Sequence, residues 1–331
     1  MDRRLEKLPK EFLDKLKQLY PAQFTSLCRT FLEPKVTTFR VNLLKTDLPS
    51  LRRDLTAAYI KARELPDVPG AFVLGNQPLR ELQETDIYKQ GRIYVQNISS
   101  MLPVKVLLSD LFTKCQMLNV ESCPEQIPFV LDLCASPGSK TTQIVSELKG
   151  NVKVLAVERD RPRYYKLQAN IKMQGCEEQV KVVNDDGGAF FKNNSDRFDR
   201  VLVDAPCSSE SGFIATEPRT YSYWSPKRVN ECRRRQKMLL YSGVRCLKPG
   251  GVLVYSTCTF SPEENESVVA HVLGKFPDSL VLEDVTIPLK NSVPGLTSWN
   301  GDTFAPDLKK TRRIIPDEML ESFYVARFRK L

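Results

Sequence analysis

From Phe129 onward the chain alternates short apolar runs with longer helical stretches, and that rhythm leaves few folds open. The spacing predicts strands at Phe129–Cys134, Val152–Val157, Val180–Val183, Phe198–Asp204 and Gly251–Thr257. It predicts helices at Lys140–Lys149, Pro162–Met173, Pro226–Cys246 and Pro262–Lys275, with a last strand near Phe323–Phe328. Strands joined by helices through short turns run parallel, with helices on both faces, so the fold class is α/β with a doubly wound sheet. Two helix starts carry signals of their own. Ser225-Pro226 and Ser261-Pro262-Glu263-Glu264 each place Ser at the N-cap and Pro in the first turn, and the second adds the Glu of a capping box.

The first part of the chain reads differently. Leu13, Leu16, Leu19, Phe24, Leu27 and Phe31 recur at helical spacing, and Val36–Asn42 is a β-branched run suited to a strand. A helix over Leu48–Ala58, two short strands within Tyr59–Leu74 and a segment ending at Asn97 complete a small α/β module. The expected division is residues 1–115 for a nucleic-acid-docking domain and 116–331 for a catalytic domain. Net charge is +9, and residues 1–115 carry 19 basic and 13 acidic side chains, so two-thirds of the excess lies there. Such a balance favours a polyanionic partner.

Nine Cys with no Cys-x-x-Cys pair, and a single His, argue against zinc sites and iron–sulfur clusters, so no metal is expected. The thiols are expected to be reduced, as in a cytosolic-type compartment. His271 falls mid-helix, which leaves no His for a Cys–His or Ser–His pair. No apolar run is long enough to span a membrane, and the start lacks the apolar stretch of a signal peptide. The expected location is cytoplasmic, nuclear or nucleolar, or an organelle if a presequence has been removed, and the expected state is a monomer.

Two cysteines stand just past strand ends: Cys207 in Asp204-Ala205-Pro206-Cys207 and Cys258 in Ser256-Thr257-Cys258-Thr259. Ligands of open α/β sheets bind beyond the carboxyl ends of the strands, so the two thiols look aimed at one ligand. The first strand runs through Leu133-Cys134-Ala135-Ser136-Pro137-Gly138-Ser139-Lys140 into a helix start. Small residues there let the backbone approach a ligand, yet neither Gly-x-x-x-x-Gly-Lys-Ser/Thr nor Gly-x-Gly-x-x-Gly is present. Glu158 ends the second strand, where an acid can take ribose hydroxyls, and Asn184-Asp185-Asp186-Gly187-Gly188 follows the third, where a base can sit. S-adenosylmethionine fits this set better than NAD.

The chain resembles the Sun/nucleolar-protein (NSUN, RsmB/NOP) family of RNA cytosine-C5 methyltransferases. The resemblance rests on Asp132-Leu133-Cys134-Ala135-Ser136-Pro137-Gly138-Ser139-Lys140-Thr141, on Asp204-Ala205-Pro206-Cys207-Ser208, and on Ser256-Thr257-Cys258-Thr259 with Pro262-Glu263-Glu264-Asn265-Glu266. Phe39-Arg40-Val41-Asn42, Gly91-Arg92-Ile93-Tyr94-Val95-Gln96-Asn97 and Arg313-Ile314-Ile315-Pro316 also match. It implies a class I methyltransferase-type, seven-stranded sheet behind an RRM-like N-terminal domain. It implies cofactor contacts from Cys134, Ala135, Pro137, Gly138 and Lys140, with Glu158 on the ribose, Arg163 nearby, Asp186 near the adenine and Asp204 at the pocket edge. The implied partner is tRNA or rRNA.

The resemblance also assigns chemistry. Cys258 adds to C6 of the cytosine, Cys207 serves the release step, and Asp204 faces the N3/N4 edge of the base. Tyr223 or Trp224 can stack on a flipped base. Arg228, Arg233, Arg234, Arg235 and Lys237 make a basic run that can meet an RNA backbone. One departure stands out: after Pro-Cys-Ser the family usually has Gly, and this chain has Ser209, so a differently shaped loop is expected. Two other functions compete with this one. One is a catalytically silent RNA-binding or assembly factor, against which intact Cys207, Cys258 and Asp204 argue. The other is a DNA cytosine methyltransferase, against which the second Cys argues.

Overall fold

The structure, a computed structural model, describes residues 2–118 and 127–331. Two helices, α1 (Lys10–Leu19) and α2 (Phe24–Arg29), come first. A small unit follows: β1 (Thr38–Val41), α3 (Leu48–Ala57), β2 (Ala62–Glu64), β3 (Ala71–Leu74), α4 (Leu79–Glu84), α5 (Asp86–Lys89) and β4 (Ile93–Val95). Its antiparallel sheet has the order β2-β3-β1-β4, the ferredoxin-like arrangement. Phe39 stacks on Phe72 with ring centroids 5.3 Å apart, and Leu51 and Leu55 of α3 close the core over them.

Helix α6 (Ile98–Leu118) leads to the large unit. It contains β5 (Phe129–Asp132), α7 (Ser139–Glu147), β6 (Lys153–Val157), α8 (Arg161–Gln174), β7 (Val180–Val183), β8 (Phe198–Asp204), α9 (Pro226–Cys246) and β9 (Leu247–Thr257). Then come α10 (Glu266–Leu273), β10 (Leu280–Glu283), β11 (Ser292–Pro294), β12 (Ser298–Trp299), β13 (Asp302–Thr303), β14 (Arg312–Ile314) and β15 (Phe323–Lys330). Strands β7-β6-β5-β8-β9 are parallel neighbours, β15 lies antiparallel beside β9, and β10 pairs with the distal half of β15. These seven strands make the expected doubly wound sheet. Two short strands, β14 and β11, extend it to nine, with β14 pairing with the proximal half of β15. Both faces are covered. Helices α6, α7 and α8 pack on one and α9 and α10 on the other, which is why the central strands read as continuous apolar runs. No described helix is long and apolar enough to cross a membrane.

Two local readings need correction. The helix expected from Pro262 begins at Glu266, and Asn265, not Ser261, occupies its N-cap. Glu264 folds away from Ser261 to bind Ser208 N at 3.0 Å, so no capping box forms. The other signalled start is as expected: Ser225 accepts from Arg228 N, with Pro226 in the first turn of α9. Packing also runs across the boundary expected at residue 115. Helix α6, which no sequence signal marked, lies on β8, β9 and β15. Leu5, Phe12, Leu16, Leu27 and Phe31 of the first segment pack with Phe213, Trp224, Val229 and Phe260 of the large unit.

The small sheet docks on the large unit through buried polar side chains. Arg40 donates to Gln96 Oε1 at 2.9 Å and to Thr142 Oγ1 at 2.8 Å, and Asn42 donates to Gly91 O and Gln174 O. Burial pulls the Arg40 guanidinium down to about 10. A second buried arginine, Arg313 on β14, donates to Glu266 Oε1 at 2.7 Å, to Phe260 O at 2.9 Å and to Tyr20 Oη at 3.2 Å. Glu266 beside it holds its guanidinium above the usual range in spite of burial. Removing one partner of such a pair leaves a buried charge alone. Arg313→Ala is therefore expected to cost about 3–5 kcal/mol in urea unfolding; a loss below about 1 kcal/mol would show that the pair does not hold the α1–α2 segment in place.

Candidate active site

The carboxyl ends of β5, β6, β8 and β9 form one edge, and the residues singled out by sequence gather along it. After β5 the chain turns through Cys134, Ala135, Ser136 and Pro137 to Gly138, which sits at φ +103° and starts α7. That left-handed conformation suits glycine, and a Cβ there would meet Leu167 Cδ1 at 2.9 Å. The turn is fixed from α8. Arg163 Nη2 donates to Ser136 O at 2.7 Å, Ser136 Oγ returns a bond to Arg163 O at 2.9 Å, and Asn170 Nδ2 donates to Pro137 O at 2.7 Å.

Glu158, at the end of β6, is buried and accepts from Asp160 N at 2.9 Å. Arg163 stands 3.7 Å from its other oxygen. Asp186 is half exposed beyond β7 and accepts from Gly188 N at 3.1 Å. Asp132, buried at the end of β5, takes a bond from Thr141 Oγ1 at 2.7 Å, and burial raises its carboxyl to about 6 against the lowering by that bond. Its Oδ1 has no hydrogen-bond partner among the described residues. Cys134 is pushed up by burial and by Asp132, so it stays a thiol.

Asp204 ends β8 beside Ser256 of β9, and Ser256 Oγ donates to its Oδ1 at 2.7 Å. Lys140 Nζ lies 2.7 Å from Asp204 Oδ2, donates to Ser100 Oγ at 2.8 Å and sits over the Phe323 ring. The edge therefore presents carboxylates at Asp132, Glu158, Asp186 and Asp204, and its buried ammonium is already committed to one of them. Such a lining suits ribose hydroxyls and a cationic ligand and opposes a phosphate. The unpartnered Asp132 oxygen is a further acceptor. The residues present thus fit S-adenosylmethionine. Among the described residues no cluster of His, Cys, Asp and Glu could hold a metal.

Past β8 and β9 the two chain loops bring Cys207 Sγ and Cys258 Sγ to 3.3 Å. Both are free thiols and half-buried. The hydrogen bond to Cys258, then burial, pushes the Cys207 thiol up. Ser209 Oγ reaches towards both sulfurs, 3.9 Å from Cys207 and 4.0 Å from Cys258. Ser209 itself is at φ +55°, the left-handed conformation that glycine adopts without strain. Ser209 thus occupies a backbone conformation of the kind that glycine adopts most readily.

Two aromatic candidates separate. Tyr223 is exposed and faces the two thiols. Trp224 is buried beside Phe12, and its indole donates to Glu210 Oε1 at 2.9 Å, so it cannot stack on a base. The basic run on α9 is also divided. Arg228 pairs with Glu231 at 3.6 Å and Arg234 is exposed, whereas Arg233, Arg235 and Lys237 are half-buried. His271 is exposed on α10. Ser208, Glu210, Gln236 and Thr259 were missed by sequence reasoning, and Glu264 was taken for a helix cap. They form a buried polar layer behind the thiols. Their one sequence signal is the density of Ser, Thr and Glu in two loops that flank apolar strands.

Comparisons with known proteins show what the chain as a whole is similar to. Residues 118–329 match the family model of the 16S rRNA methyltransferase RsmB/F, and residues 8–79 match the ferredoxin-like domain of RsmF/B-like methyltransferases. The chain is 36% identical to tRNA (cytosine(49)-C(5))-methyltransferase of Pyrococcus abyssi, over 90% of this chain and 89% of that one. It is 32% identical to ribosomal RNA small subunit methyltransferase F of Pectobacterium carotovorum, over 98% of this chain, and spans 63% of that relative's length. The crystal structure of a methyltransferase homolog protein from Pyrococcus horikoshii covers both chains completely, with a TM-score of 0.81 and 28% identity.

The left-handed Ser209 gives a direct test of the loop. Ser209→Gly is expected to stabilise the protein by about 1 kcal/mol, and Ser209→Val to destabilise it by about 2 kcal/mol, in urea unfolding. A loss of stability in Ser209→Gly would mean that the hydroxyl contacts to the sulfurs outweigh the backbone strain.

Proposed function

The chain belongs to the RsmB/F methyltransferase family, and on that premise we propose that it methylates C5 of a cytosine in RNA, with S-adenosylmethionine as methyl donor. The observation that carries this reading is the pair of thiols 3.3 Å apart, just past the strand ends where Asp204 and Ser256 are partners. C5 of cytosine is a weak nucleophile, and a thiolate bonded to C6 makes it enamine-like. Cys258 is assigned that addition. The bound cofactor supplies an electrophilic methyl group for C5.

Asp204 is assigned the N3/N4 edge of the base, where it accepts from the exocyclic amine while Lys140 holds its second oxygen. The release step needs a base for the C5 proton. The hydrogen bond to Cys258, then burial, pushes the Cys207 thiol up. Once the Cys258 sulfur is bonded to carbon, the first of these influences is gone and Cys207 ionises more readily. Its thiolate then takes the C5 proton, the electrons of that C–H bond re-form C5=C6, and Cys258 leaves as thiolate. Cys134, Ala135, Pro137, Gly138, Lys140, Glu158, Arg163 and Asp186 are assigned to the cofactor, with Glu158 on the ribose hydroxyls. Tyr223 is assigned to stacking on the flipped base or its neighbour.

The P. abyssi relative is named for a tRNA and the P. carotovorum relative for ribosomal RNA, so both RNA classes enter the test. The basic excess of the N-terminal part supports salt-sensitive RNA binding. With labelled S-adenosylmethionine, wild type is expected to place the methyl group on C5 of cytosine in RNA and not in DNA of the same sequence. Cys258→Ala is expected to lower the rate about a thousandfold or more. Glu158→Ala is expected to weaken cofactor binding about tenfold to a hundredfold in calorimetry. Preferred methylation of DNA would point to a DNA-type enzyme, and binding of RNA with no transfer to any RNA would point to a silent assembly factor.

A further inference from the structure

Behind the thiols four oxygens run in a line: Glu264 Oε1, Ser208 Oγ, Thr259 Oγ1 and Glu210 Oε2. Ser208 Oγ is hydrogen-bonded to Glu264 Oε1, it lies 2.9 Å from Thr259 Oγ1, and Thr259 Oγ1 lies 2.7 Å from Glu210 Oε2. All four residues are fully buried. Three oxygen–oxygen contacts need three protons. The hydroxyls of Ser208 and Thr259 bring two, and two ionised carboxylates bring none. With both acids ionised, each hydroxyl points its proton at a carboxylate, and the Ser208–Thr259 contact is left as lone pair against lone pair.

We propose that this chain holds a third proton, resident on Glu264, and that Glu264 is thereby a positioning residue that keeps Cys207 and Cys258 together. The proton belongs on Glu264 because the two acids are served differently. Glu210 accepts from Phe260 N at 3.0 Å, Ser261 Oγ at 2.7 Å and Trp224 Nε1 at 2.9 Å, and the Lys15 ammonium stands 3.5 Å away. Glu264 takes its other bonds from neutral donors, Ser208 N at 3.0 Å and Gln236 Nε2 at 2.8 Å, both on Oε2. Its Oε1 is free to carry hydrogen and donate to Ser208 Oγ. Ser208 then donates to Thr259 and Thr259 to Glu210, so each of these three contacts is filled, while Thr259 Oγ1 and Glu264 Oε1 lie 3.5 Å apart, at the limit of a hydrogen bond.

The chain joins the residue after Cys207 to the residue after Cys258. It is therefore a clasp between the two thiol-bearing loops. Burial, and then the charge of Glu210, raise the Glu264 carboxyl to about 7. The other titratable groups facing it are Cys207 from the same loop as Ser208, Tyr255 of β9 and Cys232 of α9, all three themselves pushed up. Lys15 of α1 acts from beyond Glu210. Because the folded-state value is raised, the stability contributed by protonated Glu264 is fully present below its usual carboxylate range and is lost as pH rises through about 7.

The catalytic consequence rests on the methyl-transfer reading, whereas the proton and the clasp do not, so the test uses neither RNA nor methyl donor. Infrared spectra of the full chain are expected to show the carbonyl stretch of a protonated carboxylic acid that vanishes with a midpoint near 7. In an Asp132→Asn background, which removes a second acid raised to about 6, the band with its midpoint near 7 is expected to persist, and it is expected to be absent when Glu264→Gln is added. Thr259→Val, which removes the middle link, leaves one contact that the Ser208 proton already fills, so the midpoint of the band is expected to fall. The clasp is read with phenylarsine oxide, which needs two adjacent thiols. Capture at pH 6 is expected in wild type and in Glu264→Gln, whose amide can replace the donated hydrogen, and is expected to weaken about tenfold or more in Glu264→Ala. An Asp132→Asn protein without that band, or the band retained when Glu264→Gln is added to it, overturns the proton. Equal capture by wild type and Glu264→Ala overturns the clasp.

Discussion

A carboxylate removed from water must find hydrogen bonds elsewhere, and Glu210 and Glu264 find theirs in the two loops that carry Cys207 and Cys258. That requirement explains why two segments 51 residues apart in sequence hold two sulfurs at 3.3 Å. The strands beneath align the segments, since Asp204 and Ser256 are direct partners in the β8–β9 ladder. Past the strand ends no ladder continues. The acids, Ser208, Thr259 and Gln236 then carry the alignment outward. Aromatic packing of Phe12, Phe213, Trp224 and Phe260 closes the far side of this layer, which is how an N-terminal helix comes to support the site.

The other half of the site is an electrostatic device of a different kind. Asp132, Glu158, Asp186 and Asp204 converge at the strand ends, and Lys140 offsets one of them. A sheet edge so charged favours a ligand that brings positive charge and hydroxyl donors. The small ferredoxin-like unit is tied to α7 and α8 by Arg40, Asn42 and Gln96, next to the helix start that bears Lys140. Part of the family signature in that unit thus has a plain structural meaning: these polar side chains join two units rather than touch a ligand.

Much of the large sheet was legible in the sequence because buried parallel strands leave uninterrupted apolar runs, as at Leu131 and Val201–Val203. Strands β11 and β14 were not, since both are short and β14 bears the buried charge of Arg313, which gives no apolar pattern. Helix α6 also escaped, although it is strongly apolar: buried on the sheet, it lacks the alternation of a surface helix. Glu264 misled for a local reason. Ser-Pro-Glu-Glu is a valid helix start in isolation, and it was overridden by tertiary hydrogen bonds from Ser208 and Gln236, 56 and 28 residues away. Trp224 and Tyr223 could not be told apart by position alone, because adjacent residues in a loop face opposite ways.

The proposed division of labour between the thiols is open to a single direct measurement. Cys207→Ala and Cys258→Ala are each incubated with labelled RNA and S-adenosylmethionine and run on a denaturing gel. If Cys258 adds to C6 and Cys207 serves release, Cys207→Ala accumulates a covalent protein–RNA band and Cys258→Ala forms none. A band in Cys258→Ala with none in Cys207→Ala would contradict the assignment and exchange the two roles.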